Sequence, residues 1–288
     1  MSDPHDAPKQ DLIEYRHDVH SQFGEDGIIE EILRRLNITT GWFVEFGAWD
    51  GKHLSNSRSL FERGWHGVFI EGDTKKFADL CREYDGQDRI VPLNAWVGFE
   101  GEDRLDALLA GTPIPKDFDL LSIDIDSDDY HVWHALREHT PKIVVIETNY
   151  SFPYNVDFVQ APGAHIGSSA LAIARLGVAK GYTLACYNSA NAIFVRNDLV
   201  PSLALPNRSF AYLYAIGRHA RAAGFFASEF SGKWHKLHDE NITWRFKKLY
   251  KDSKRLRAQS HRFEHWTSPD QIRALFDDDG LDPRFGAE

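Results

Sequence analysis

The sequence is short of cysteine, of long apolar runs and of positive charge, and each shortage removes a class of protein. Two cysteines, Cys81 and Cys186, in 288 residues cannot build a disulfide framework. Both fall in apolar-periodic stretches and read as small core residues. No stretch approaches the roughly 18 apolar residues of a membrane span, and the opening residues, MSDPHDAPKQ, lack the apolar segment of a secretion leader. The expected setting is the cytoplasm, with no membrane partner. The formal net charge is −10, which argues against a nucleic-acid partner, because attraction to phosphate needs a basic surface. One local exception runs from Arg245 to Arg262; it reads as a solvated helix face or as a contact for an anionic substrate.

Apolar residues are not lacking. At 42% they suffice for a well-buried core, and the length suits one large domain or a core with an appendage. Three stretches are expected. Residues 1–40 form a polar arm and a cap helix, in which Ile28, Ile29, Ile32, Leu33 and Leu36 recur at helical spacing behind Glu25 and Asp26, acids that suit a helix start. Residues 41–200 form the core. Residues 201–288 form a helical extension, where Ile242, Phe246, Leu249 and Leu256 share a stripe suited to a cap or a homodimer contact.

In the core, short apolar runs alternate with helical ones. WFVEFG, GVFIEGD, RIVPLNAWVG, DLLSIDID and KIVVIETN are apolar enough to be buried on both faces, as in a parallel sheet covered by helices. LSNSRSLFERG (with Gly64 as a C-cap), TKKFADLCREY, DRLDALLAG and DDYHVWHALREH supply the helices between them. A long loop follows, Tyr150 to Gly167, and loops of that length are usually functional; a lid is expected. After the helix SSALAIARLGVAKG, the runs YTLACY and NAIFVRND leave no room for a helix between them and predict an antiparallel hairpin. A dinucleotide-binding sheet would continue with helix-linked parallel strands. A hairpin ending fits the seven-stranded methyltransferase variant better.

The strand ends carry the chemistry. Strand one ends in Glu45-Phe46-Gly47-Ala48-Trp49-Asp50-Gly51, where glycines let the backbone turn sharply and approach a ligand and the next helix aims its amides at a carboxylate. Trp49 stands where the usual signature has its central glycine. Glu71 closes strand two, about 20 residues on, where such folds place a carboxylate on ribose hydroxyls. Strand three ends at Asn94-Ala95, a position from which adenine is contacted. Together these point to a nucleoside-bearing ligand.

Strand four ends in Asp124-Ile125-Asp126-Ser127-Asp128-Asp129 and strand five in Glu147-Thr148-Asn149. Neighbouring parallel strands deliver these ends to one edge. Asp124, Asp126, Glu147 and Asn149 are hard oxygen donors suited to Mg²⁺, Mn²⁺ or Ca²⁺; Asp128 or Ser127 caps the following helix. The alternative is that these acids only cap helices and meet water. An EF-hand loop is excluded, since Asp129 and Ala135 occupy its glycine and bidentate-glutamate positions. A haloacid-dehalogenase-type phosphatase, with Asp124 as nucleophile and Asp126 as acid/base, remains open, although three strands precede the motif here.

The stretches SQFGEDGIIEEIL, FVEFGAWDGKHLSNSRSLFERGWHGVFIEGD, LLSIDIDSDDYHVW, IVVIETN and GSSALAIARLGVAKGYTLACYNSANAIFVRNDL resemble, in order and spacing, the FkbM-like class I methyltransferases over residues 21–200. The resemblance implies strand order 3-2-1-4-5-7-6 with strand seven antiparallel, S-adenosyl-L-methionine as methyl donor, and O-methylation of a sugar or natural-product hydroxyl. It implies that Glu45, Gly47 and Gly51 surround the amino-acid end of the donor and that Glu71 holds ribose; Ala48 and Asp50 of the same stretch are further candidates for cofactor binding. It also implies that the acids of strands four and five sit where cation-dependent relatives hold Mg²⁺ or Mn²⁺. Trp49 in the glycine loop and His165 in the lid depart from the pattern. The expected partner is a small-molecule acceptor; His165, His131 and Asp124 are the candidates for acid–base work. An N-methyltransferase of the same fold, the phosphatase, and a non-catalytic nucleoside-binding module are the alternatives.

Overall fold

The structure, a computed structural model, describes residues 9–229. Its seven strands are β1 (Trp42–Phe46), β2 (His66–Glu71), β3 (Ile90–Asn94), β4 (Leu120–Ile123), β5 (Ile143–Glu147), β6 (Tyr182–Tyr187) and β7 (Asn191–Arg196). They form one sheet in the order β3-β2-β1-β4-β5-β7-β6. β1 to β5 pair in parallel, and β7 runs antiparallel to both β5 and β6. The helices are α1 (Glu25–Arg35), α2 (Arg58–Glu62), α3 (Thr74–Glu83), α4 (Leu105–Ala110), α5 (Asp129–Ala135), α6 (Ala170–Ala179), α7 (Val200–Leu203) and α8 (Phe210–Glu229). The central strands are buried throughout, as in Leu120 to Ile123 and Ile143 to Ile146. This follows from Val, Ile, Leu and Phe on both faces of each strand. Among the described residues no helix is long and apolar enough to cross a membrane.

Register aligns the strand ends. Glu71 pairs with Asn94, and Glu147 with Asn191. Phe46 pairs with Ile70 and with Ile123, and Ile123 with Ile146. One step further along each strand, Gly47 therefore stands level with Glu71 and Asp124, and Asp124 level with Glu147. Asn94, Glu71, Gly47, Asp124, Glu147 and Asn191 thus form one row across six adjacent strands.

Several expectations need correction. The arm is not simply polar: a short 3-10 turn, Leu12–Tyr15, buries Leu12 and Ile13 in the core. Cys186 is buried as expected, but Cys81 is exposed. α2 is shorter than its pattern suggests, because residues 51–57 form turns. α5 stops at Ala135, and the backbone amides of Arg137, Glu138 and His139 go instead to the Asp106 carboxylate. The helical extension does not begin outside the core. Phe210 to Ile216 of α8 are buried, and a Cβ on Gly217 would lie 2.0 Å from the Tyr187 carbonyl oxygen, so only glycine lets α8 approach β6 this closely. The basic stretch from Arg245 and the stripe from Ile242 to Leu256 lie outside the described residues.

Candidate functional site

The row divides at Gly47. On one side, Glu71 is buried; its Oε2 accepts from Trp49 N at 2.7 Å and its Oε1 from Asp73 N at 2.8 Å. A carboxylate has about four acceptor positions, so two remain for a diol. Asn94 donates from Nδ2 to the Glu71 carbonyl at 2.8 Å. Trp96 is 73% exposed and lies against Gly72, where a Cβ would come within 2.2 Å of its ring. Trp49, also exposed, sits at φ +47° with Lys76 over its ring.

Gly47 itself has φ +72°, and a Cβ there would lie 2.0 Å from the Asp124 carbonyl oxygen. Glycine is required on both counts. Two acids beside Gly47, one in the loop and one in β1, are used internally. Asp50 accepts from the backbone amides of Lys52 and His53 and faces the His53 ring at 2.6 Å. Glu45 is buried and accepts from the Ser55 hydroxyl, the Ser57 amide and the Ser57 hydroxyl. Burial pushes its carboxyl up to about 7. Both hold the glycine loop in shape from behind. Ala48 is buried beneath it, and Gly51 accepts the Tyr84 hydroxyl at its carbonyl.

On the other side of Gly47 the row is acidic. Asp124, Asp126 and Glu147 each present a carboxylate oxygen within 4.8 Å of the others. Asp126 reaches the cluster through a left-handed backbone, φ +57°. Glu147 is pushed up to about 9 by desolvation and by the like charges of Asp124, Asp129 and Asp126. Asp124 is raised by desolvation and by the like charges of Asp129, Asp126, Glu45 and Glu25, although it and Asp126 are exposed at the surface and Glu147 is half-buried. Among the described residues none of these six acids is in an ion pair. Three hard oxygen ligands with no cation among them fit Mg²⁺ or Mn²⁺.

Two neighbours behave differently from expectation. The turn before α5 is held by Asp129, which accepts from the Ile125 and Ser127 amides, while Asp128 makes no side-chain cap bond and instead accepts from Gln160 and Gly163 of the Tyr150–Gly167 loop. Asn149 has both ends of its amide engaged, Oδ1 by Ser151 N at 2.8 Å and Nδ2 by the Ile166 carbonyl at 2.7 Å.

The sheet is the seven-stranded Rossmann-like methyltransferase sheet. No protein-family model matches the sequence, and no curated protein matches it. Among solved structures, the fold is similar to that of an S-adenosylmethionine-dependent methyltransferase from Clostridium acetobutylicum at 11% identity, covering 61% of this chain and 92% of that one, with a TM-score of 0.38. It is similar to a SAM-dependent methyltransferase from Aquifex aeolicus at 9% identity, covering 58% and 87%, with a TM-score of 0.36. The N-methyltransferase NodS from Bradyrhizobium japonicum gives 11%, 58%, 93% and 0.36 in the same terms. Likenesses of this size decide nothing about activity; the sheet order itself defines the fold.

The loop from Tyr150 to Gly167 lies beside this edge. His131 Nε2 is 2.8 Å from the Gln160 carbonyl, with Phe99 packed 5.2 Å from its ring, so this histidine ties α5 to the loop. His165 is exposed at φ +49°. α8 holds the base of the loop: the Tyr214 hydroxyl donates to the Phe152 carbonyl at 2.8 Å, and Arg218 donates to the Tyr150 carbonyl and the Ser189 hydroxyl, each at 3.2 Å. Non-glycine residues in left-handed backbone gather here. Among the described residues, Trp49, Leu54, Asp126, His165 and Ser189 all sit in loops at this edge of the sheet, against only Asn37 and Ala204 elsewhere. Strained backbone persists where surrounding structure enforces it, and it concentrates at functional sites.

Sequence reasoning missed Glu25, Asn188 and Asn191. Glu25, buried at the start of α1, accepts from Asn188 Nδ2 and Asn191 Nδ2, both at 2.6 Å, and from Phe23 N at 2.8 Å. The pairing spans most of the chain, and nothing local in the sequence announces it.

Proposed function

We propose that this protein is an S-adenosyl-L-methionine-dependent methyltransferase of the FkbM-like group, acting on a hydroxyl of a small sugar-like or natural-product-like acceptor with the help of Mg²⁺ or Mn²⁺. The observation that carries the reading is the single row of strand ends. Its Asn94–Glu71 half suits a nucleoside, its Asp124–Glu147 half suits a cation and a reacting oxygen, and Gly47 opens the row between them.

The donor, when bound, supplies an electrophilic methyl on a sulfonium. The Gly47–Gly51 loop receives its amino-acid end, Glu71 takes ribose hydroxyls on its two remaining acceptor positions, and Ala95 with Trp96 faces adenine. A divalent cation, when bound, supplies a Lewis acid that lowers the pKa of an alcohol. Asp124, Asp126 and Glu147 would hold it in the ionised form that ligation requires, which leaves the hydroxyl proton to a base outside the cluster. His165 is the lid's own candidate base. Positioning carries much of the remaining rate, because methyl transfer is an in-line displacement. The Tyr150–Gly167 loop excludes water above it.

An N-methyltransferase has less need of an acid cluster to activate its acceptor, since a neutral amine is already nucleophilic. The phosphatase reading leaves the nucleoside half of the row without a purpose. The test is methyl transfer from labelled donor to a panel of sugar, polyketide and amine acceptors, before and after chelation, with Mg²⁺ and Mn²⁺ restored separately. Transfer to hydroxyls that stops on chelation supports the reading. Transfer to amines alone, undiminished by chelator, overturns both the acceptor class and the cation.

A further inference from the structure

The sixth member of the row, Asn191, opens β7 directly opposite Glu147. It is 5% exposed. Its Nδ2 donates to Glu25 Oε1 at 2.6 Å, whereas its Oδ1 has no hydrogen-bond partner among the described residues. Buried polar atoms are almost always partnered, and one that is not asks for an explanation.

The orientation of this amide is dictated chemically. A carboxylate accepts and never donates, and the same Glu25 oxygen already receives Asn188 Nδ2 at 2.6 Å. Turning the Asn191 amide over would set oxygen against oxygen. Glu25 therefore draws the nitrogen to itself and leaves the oxygen facing away. Directly paired residues of antiparallel strands present their side chains on one face, so Asn191 stands beside Glu147, whose carboxylate belongs to the Asp124–Asp126–Glu147 cluster. The other amide at this edge, Asn149, has its oxygen engaged by Ser151 N.

We infer that Asn191, rather than Asn149, supplies the amide oxygen of a divalent-cation site built with Asp124, Asp126 and Glu147, and that Glu25 orients it. The inference rests on the cation-assisted reading above. A neutral oxygen suits the place: it adds a hard ligand without adding a fourth negative charge to three carboxylates that already repel one another. Glu25 touches no cation; it is a positioning residue, acting through the amide it holds.

The experiment uses the full-length protein and Mn²⁺ alone, with binding read from the loss of the free aqueous Mn²⁺ electron paramagnetic resonance signal. Asn191→Ala is expected to weaken Mn²⁺ binding by about tenfold or more, and Glu25→Leu by a similar factor, about the loss seen when a ligand's orienting partner is removed. Asn149→Ala leaves affinity within about twofold of the parent. Circular dichroism checks folding, and Asn191→Leu, close to asparagine in shape, replaces the alanine variant if that one unfolds. Equal affinity of Asn191→Ala and the parent, or an equal loss in Asn149→Ala, overturns the inference while leaving the cation reading intact. No Mn²⁺ binding by the parent protein overturns that reading itself.

Discussion

Cation binding is expected to be coupled to proton release, and the size of the coupling follows from Glu147. Its carboxyl is pushed up to about 9 from an ordinary 4.5 by desolvation and by three neighbouring acids. At pH 7, about two units below that value, the acidic cluster therefore retains a proton, and Glu147 is ionised in only a small minority of molecules. Each unit corresponds to 1.36 kcal/mol. Displacing this proton therefore costs about 3 kcal/mol of cation affinity at pH 7, less the solvent screening that partial exposure brings. The sign follows directly. A ligand carboxylate must be ionised, so affinity rises with pH by up to tenfold per unit for each proton displaced, and levels off near pH 9. Stability of the cation-free protein runs the other way. Folded Glu147 holds its proton to higher pH than the unfolded chain does, so its contribution is fully present below about 4.5 and is lost as pH rises toward 9. Added Mn²⁺ reverses that loss. The assay is calorimetric titration of Mn²⁺ at pH 6, 7 and 8 in buffers of different ionisation heat, which counts protons released. An affinity flat across this range, with no proton released, would refute the placement of Glu147 among mutually repelling acids around a cation.

Other perturbations probe the rest of the frame. Gly47→Ala forces a left-handed residue, costing about 1–2 kcal/mol, and sets a Cβ 2.0 Å from the Asp124 carbonyl oxygen; donor affinity should fall at least tenfold with a lowered melting temperature, and an unchanged titration would contradict the close approach of β1 and β4. Trp96, exposed against Gly72, should report the nucleoside: S-adenosylhomocysteine is expected to change tryptophan fluorescence in the parent and much less in Trp96→Phe, and equal responses would place the adenine elsewhere. Gly217→Ala drives a methyl into the Tyr187 carbonyl and should cost about 1–3 kcal/mol in urea denaturation. A neutral result would mean that α8 does not pack on β6 as described.

What the sequence disclosed and what it withheld divide along a physical line. Strand ends were legible because apolar runs stop where their polar termini begin, and Gly47, Glu71, Asn94, Asp124 and Glu147 each close such a run. The β6–β7 hairpin was legible because the two runs leave no residues for a helix between them. Hidden were the interactions that depend on side-chain direction or distant pairing. Glu25 looked like an acid at a helix start, yet it joins Asn188 and Asn191, more than 160 residues further along the chain. Asp128 and Asp129 are adjacent acids, and only the turn geometry assigns the turn before α5 to Asp129 and the lid to Asp128. Glu45 and Asp50 carry the right residue types for ligand contact, but local hydroxyl and amide donors take up their oxygens. Leu12 and Ile13 were lost in a polar arm because two residues in a short 3-10 turn leave no period to detect.

A methyltransferase requires that the Glu71–Gly47 half of the row bind an adenosyl sulfonium or its thioether product. Isothermal calorimetry of S-adenosylhomocysteine against the full-length protein tests this most directly, with Glu71→Ala as the paired variant. One site per chain is predicted, together with a gain of about 2.7 kcal/mol in stability at ligand concentrations ~100 times the dissociation constant. Glu71→Ala should weaken binding by about 1–3 kcal/mol, the loss expected when ribose hydroxyls go unpaired. Heats no larger than dilution in the parent protein, at ligand concentrations well above those of the protein, would contradict the methyltransferase reading.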